Sequence, residues 1–261
     1  MPQHEPDASA AAPVRVHILG VGMGPQHVTP EVAAALAECD YIVAAEKSQH
    51  DNLLAVRRAI AHQHGVEIVP VPDPERDRRR DATSSPAGYD SAVRDWHEAR
   101  VAAYQTVLTE RGGTAAFLVW GDSSLYDSTI RVVARLAELM PLNYDVLPGI
   151  SAAQLLAARH KIVLHPIGAP VHITTGRRLR EDIAAGQRNL LVMLNGSFDL
   201  TGLEDWSLWW GGNLGDPSEA LIAGRVGDVA ADVLAARERL KAAAGWVMDI
   251  YLVRAPGHGD G

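Results

Sequence analysis

The sequence contains one cysteine, Cys39. That excludes an intramolecular disulfide framework and a cysteine metal cluster, and fits a reducing, cytoplasmic compartment. No stretch approaches about 18 continuous apolar residues, so no membrane span is expected. Positive charge is in deficit: 24 Lys and Arg stand against 32 Asp and Glu, a net charge of -8. Such a balance gives no overall attraction for nucleic acid or an anionic membrane, so an acidic partner would need a local basic patch. The opening MPQHEPDASAAAP lacks a basic segment followed by an apolar one, and residues 1–13 are read as a frayed tail, not a signal peptide.

What is present is core-forming material. Across 261 residues, 47% are hydrophobic and 21% charged, which suits one large α/β domain or two smaller ones. Short β-type runs alternate with helical patterns, so a largely parallel, helix-covered sheet system is expected. Strands are predicted near Val14–Leu19, Tyr41–Ala44, Val66–Val69, Ala115–Trp120 and Tyr144–Leu147, then near Val171–Thr174, Leu190–Leu194, Ala220–Ala223 and Trp246–Val253. Thr29 followed by Pro30 and Glu31 marks a helix start, and a second helix is predicted from about Tyr89 to Glu110. Two prolines and a glycine between Leu164 and Pro170 mark the expected linker. It divides an N-terminal domain, 14–165, from a C-terminal one, 166–261.

The turn after each early strand carries the chemistry. Gly20, Gly22, Gly24 and Pro25 follow the first, Glu46 and Lys47 the second, Gly121, Asp122 and Ser123 the fourth, and Pro148, Gly149, Ile150 and Ser151 the fifth. Parallel strands would bring these turns to one rim, where open α/β sheets bind ligands. GVGMG with Glu46 downstream partly matches a dinucleotide fingerprint, which keeps an NAD-dependent oxidoreductase open. Pro25 occupies the third glycine's place, however, and the late helix start at Thr29 leaves few free amides for a pyrophosphate. Asp122 either binds a ligand or caps a helix beginning at Leu125 or Tyr126. Gly149 is expected to pass close to a ligand. Arg76, Arg78, Arg79 and Arg80 lie in a long loop, either as a solvated face or as carboxylate anchors. His62 and His64 fall on different helix faces, so no metal site is expected there. Trp206, Trp209 and Trp210 are read first as core, with a stacking surface or a subunit interface as the alternatives.

ILGVGMGP, VWGDSSLYDST, VLPGISAAQ and LLVMLNG together resemble the tetrapyrrole methyltransferases. The resemblance implies two α/β domains with a cofactor cleft between them, S-adenosylmethionine (SAM) as methyl donor and a cytoplasmic homodimer. PDPERDR, PGISAAQLLAARH, HITTGR, LIAGRVG and GWVMDIYLVR narrow it to members acting on polyanionic precorrins. The implied reaction is methylation of precorrin-5 at C-1, with the acetyl group there lost as acetate. Carried over residue by residue, SAM binding falls to Pro25, Gly121, Asp122, Ser123, Leu125, Ser151, Ala152, Met193 and Leu194, with Ala223 and Met248 from the last two strand ends. Asp122, Tyr126 and Glu46 are the candidate catalytic groups, and Lys47 with the four arginines the candidate substrate contacts. Ser123 stands where many relatives have proline. Another tetrapyrrole methyltransferase activity and a non-catalytic tetrapyrrole carrier remain alternatives.

Overall fold

The computed structural model describes residues 12–46, 52–74, 86–245 and 247–258. The chain divides into two compact units between Gly149 and Ile150.

In the first unit, strands β1 (Val14–Gly20), β2 (Tyr41–Glu46), β3 (Glu67–Pro72), β4 (Thr114–Val119) and β5 (Leu142–Leu147) form a parallel sheet in the order β3-β2-β4-β1-β5. Alternate side chains of β1 serve opposite faces. Val14, Val16 and Ile18 pack with α3 (Pro86–Arg111) and α4 (Thr129–Leu139). Leu19 packs on the other side with residues of α1 (Pro30–Ala37) and α2 (Asn52–His64). Thr29 caps α1 as its sequence position requires, its hydroxyl accepting the Val32 amide at 3.2 Å. The β2 to β4 ladder has two paired positions against six for β1 to β4. Beyond the β2 pairing, Arg57 of α2 donates to the Leu118 carbonyl at 3.0 Å and satisfies it.

The second unit holds β6 (His172–Thr175), β7 (Asn189–Met193), β8 (Ser207–Gly212), β9 (Ala220–Arg225) and β10 (Asp249–Arg254), ordered β6-β7-β10-β8-β9. Only β6 and β7 run parallel, while β10 is antiparallel to both β7 and β8, and β8 to β9. The expectation of a largely parallel system therefore fails in this unit. Its apolar runs look like those of a parallel sheet because helices cover both faces. On one face α6 (Leu179–Ala184) and α7 (Val226–Ala244) bury Leu179, Val226, Val233 and Leu240 against Leu190, Leu208 and Trp210. Helix α5 (Ala152–His160) meets β8, β9 and β10.

That packing moves the division of the chain from residue 165 to Gly149. Segment 161–170 also belongs to the second unit: Asn189 donates to the carbonyls of Leu164 and Pro170 at 2.9 and 3.0 Å, and Arg254 to that of Val163 at 3.1 Å. Proline and glycine there mark a surface loop, tied down at both ends.

Candidate functional site

The first unit's turns are held together by backbone. Gly22 and Gly121 pair in both directions, at 3.1 and 2.8 Å, and both have left-handed φ, +66° and +71°. Val21 donates to the Val119 carbonyl at 2.9 Å, and the Met23 amide donates to His27 Nδ1 at 3.3 Å. Three amides of GVGMG are thus consumed internally, which removes the basis for a pyrophosphate site there. Pro25 opens a single 3₁₀ turn, Pro25–His27, and is half-buried.

Asp122 fastens the β4 turn to the β5 turn. One carboxylate oxygen accepts from the Ser124 amide at 2.9 Å and from the Ser124 hydroxyl, the other from the Gly149 amide at 2.8 Å. Burial pushes this carboxyl up, but the hydrogen bonds from Ser124 and Gly149 outweigh it and hold it below the usual range. No helix starts at Leu125 or Tyr126. Helix α4 begins at Thr129 with Ser128 as N-cap, so Asp122 clamps a loop and caps no helix. Asp122→Asn keeps one accepting oxygen and turns an NH₂ toward a donor, so about 1–3 kcal/mol of stability should be lost at pH 7. Because the native pKa is depressed, the carboxylate's contribution is present above the unfolded pKa and lost as pH falls through the native one. Urea unfolding of wild type and Asp122→Asn at descending pH should therefore converge, and a constant gap would refute the clamp.

Around this clamp Gly121 and Ser123 are buried, and Leu125 is half-buried. Tyr126 is 45% exposed in a left-handed conformation, φ +53°, which is rare for an aromatic residue and occurs at functional turns. Glu46 ends β2 and accepts from Arg58 at 3.4 Å across solvent. Sequence reading passed over Trp120, whose indole Nε1 is buried with no hydrogen-bond partner among the described residues. Lys47, Arg76, Arg78, Arg79 and Arg80 lie outside the described residues. Just before the arginines, Asp73 pairs with Arg100 of α3 at 2.6 Å, and Trp96 donates to the Pro74 carbonyl at 3.0 Å.

In the second unit Ser151 caps α5 through a reciprocal capping box with Gln154, which occupies its hydroxyl and amide, and Ala152 opens the helix. Met193 ends β7, and Leu194 follows it 61% exposed at φ +54°. Met248 precedes β10, so it is no strand end. Antiparallel pairing of Asp249 with Gly212 nevertheless brings it to the end of the sheet where β7 and β8 finish. The strand-end placement of Ala223 is corrected likewise: it pairs with Trp209 inside the exposed edge strand β9. Trp210 is fully buried and Trp206 packs against the same core, as the core reading expects. Among the described residues no cluster of His, Cys, Asp and Glu has the makings of a metal site, and no helix is long and apolar enough to cross a membrane.

Comparison with known proteins agrees over nearly the whole chain. The profile of the Tetrapyrrole (Corrin/Porphyrin) Methylases matches residues 15–229. A Precorrin-6A synthase [deacetylating] from Sinorhizobium sp is 39% identical over 257 residues, covering 92% of this chain and 95% of the relative. A cobalamin synthesis related protein, CobF, from Corynebacterium diphtheriae has a crystal structure that superimposes with a TM-score of 0.78 at 36% identity, over 92% of this chain and 98% of that one. A uroporphyrin-III-C-methyltransferase from Thermus thermophilus shares the fold, with TM-score 0.57, 19% identity and coverage of 92% and 94%. With a matching profile over most of its length and this extended identity, the chain belongs to the tetrapyrrole methylase family.

Proposed function

We propose that this protein moves the methyl group of SAM to C-1 of precorrin-5 and releases the C-1 acetyl group as acetate, giving precorrin-6A. The observation that carries this reading is the 39% identity, sustained over 92% of the chain, to a precorrin-6A synthase. A sulfonium methyl is already electrophilic, so the transfer calls for alignment and exclusion of water, with no metal or covalent nucleophile. Water adds to the acetyl carbonyl and the bond between that carbonyl and C-1 breaks, so acetate leaves and the electron pair of that bond stays on C-1, delocalised into the macrocycle. C-1 then attacks the sulfonium methyl: the C–C bond to C-1 forms, the S–CH₃ bond breaks and S-adenosylhomocysteine departs.

The residues fit such a donor. Met193 and the exposed Leu194 offer apolar surface to a purine, and Trp120 Nε1, without a hydrogen-bond partner among the described residues, lies in the turn of Gly121, Ser123 and Leu125. Pro25, Ser151, Ala152, Ala223 and Met248 complete the proposed SAM contacts. Asp122, ionised and clamped, shapes its turn, which leaves Tyr126 and Glu46 as the candidates for proton transfer during deacylation. Lys47, Arg76, Arg78, Arg79 and Arg80 would meet the precorrin carboxylates, since Arg binds these bidentately. The active form is a homodimer in the cytoplasm.

Incubation with precorrin-5 and methyl-labelled SAM should give a labelled tetrapyrrole that has lost its acetyl group, with one acetate per methyl. Label in a product that keeps the acetyl group would point to a different methylation, and SAM or precorrin binding without transfer to a carrier.

A further inference from the structure

Leu194 poses a problem of its own. A leucine in the left-handed region is biased against by roughly tenfold, and here it also leaves its side chain largely in solvent. Such a conformation persists only where the surroundings impose it. The next residue supplies the constraint. Asn195 Nδ2 donates to the carbonyl of Asp249 at 3.2 Å and to its carboxylate Oδ1 at 3.3 Å. Arg237 reaches back from α7 to the Asn195 carbonyl at 3.5 Å and pairs with the Asp249 carboxylate, which also accepts from Trp210 Nε1 at 2.8 Å.

Because Asp249 takes the amide NH₂, the Asn195 Oδ1 must turn the other way. It is buried with no partner among the described residues, a cost that a purely structural residue at this position would avoid. It lies against Gly176, where an added Cβ would sit 2.8 Å away. The Gly176 amide in turn donates to the Met193 carbonyl at 3.1 Å. Asn195 is thus braced between the end of β6 and the start of β10, with Leu194 on its amino side. Met248 is fixed beside it, its amide and carbonyl both bonded to the buried Asn213 at 2.9 and 2.7 Å.

We propose that Asn195 is a positioning residue for the methyl donor: locked by Asp249 and Gly176, it holds Leu194 in the left-handed conformation that presents its side chain to SAM. This rests on the reading that Leu194 contacts SAM, and the experiment separates the two. SAM affinity is measured by calorimetry for wild type, Leu194→Ala, Asn195→Ala and Gly176→Ala, together with thermal stability and steady-state kinetics. Leu194→Ala should weaken SAM binding, and an unchanged affinity would sink the contact itself. Releasing the brace should let Leu194 relax, so that the binding-competent state falls to about a tenth and the SAM Kd rises about tenfold. Asn195→Ala should show this as a raised KM for SAM, with kcat at saturating SAM and the precorrin KM unchanged. Gly176→Ala removes no hydrogen bond but pushes on Oδ1, and should act in the same direction; it decides the matter if Asn195→Ala does not fold. If Leu194→Ala weakens binding while either folded brace variant keeps wild-type SAM affinity, the inference is wrong. A fall in kcat with the SAM KM unchanged also overturns it.

Discussion

Gly149→Ala is expected to destabilise the protein by about 3 kcal/mol or more, at the upper end of single-residue effects. An added Cβ would lie 2.2 Å from the Gly121 carbonyl oxygen and 2.6 Å from the carbonyl carbon and oxygen of Gly20. All three are backbone atoms, so no rotamer change relieves the overlap. The reciprocal contact is as close, since a Cβ on Gly20 would meet the Gly149 nitrogen at 2.4 Å. The close approach expected at this glycine is therefore to the protein's own chain, where the turns after β1, β4 and β5 stack. Gly168→Ala is the control. It has open space and φ +72°, so only the left-handed penalty of about 1–2 kcal/mol applies. Equal urea midpoints for the two variants would show that the β5 turn can shift to accept a side chain.

That result bears on how SAM affinity in such variants is read. A Gly149 substitution that abolishes binding would be recording a collapsed turn, with the Asp122 clamp on the Gly149 amide broken at the same time. Leu194 is a better probe, because its side chain is largely in solvent and its removal leaves the core intact.

The first unit was legible because its strands repeat a simple rule: an apolar run, a glycine or acidic turn, then a helix. Thr29 with Pro30 placed the start of α1 to the residue. The second unit hid two things. Strand β8, SLWWGG, lies inside what the sequence shows only as a tryptophan cluster; a Cβ on Gly211 would come within 2.7 Å of Leu214 and one on Gly212 within 2.5 Å of Trp210. The antiparallel course of β10 was invisible too. Strand direction depends on connections through space, and a buried strand's composition carries no sign of it. That is why Met248 was expected at a strand's end and stands before its beginning. Of the candidate site, the glycine turns and the β7 end could be found by motif. Trp120, Asn195 and Gly176 fall within VWGDSSLYDST, LLVMLNG and HITTGR, yet nothing in those motifs marks them out, because the burial of Trp120 Nε1 and the packing of Asn195 against Asp249 and Gly176 arise only in the folded chain.

Arg237→Met should produce the second large effect, a loss of about 3–5 kcal/mol, because it strands the Asp249 carboxylate inside the second unit. That side chain is 1% exposed and that of Arg237 11%, so neither charge can recover its hydration by a small movement. Trp210 Nε1 and Asn195 Nδ2 would remain as donors, but two neutral donors do not replace a guanidinium beside a buried anion. The double variant Arg237→Met with Asp249→Asn tests the cause directly. It removes the charge while retaining an oxygen that can accept from Trp210, so it should recover about half of the loss. Urea unfolding gives the comparison, with unchanged m-values required for the midpoints to be read as stability. If the double variant is less stable than Arg237→Met alone, the damage comes from lost packing of the arginine stem, whose guanidinium also lies 6.0 Å from the Phe198 ring. Recovery would instead establish that the ion pair is held by the cost of breaking it, and that the start of β10 owes its fixed position to a compensated buried charge.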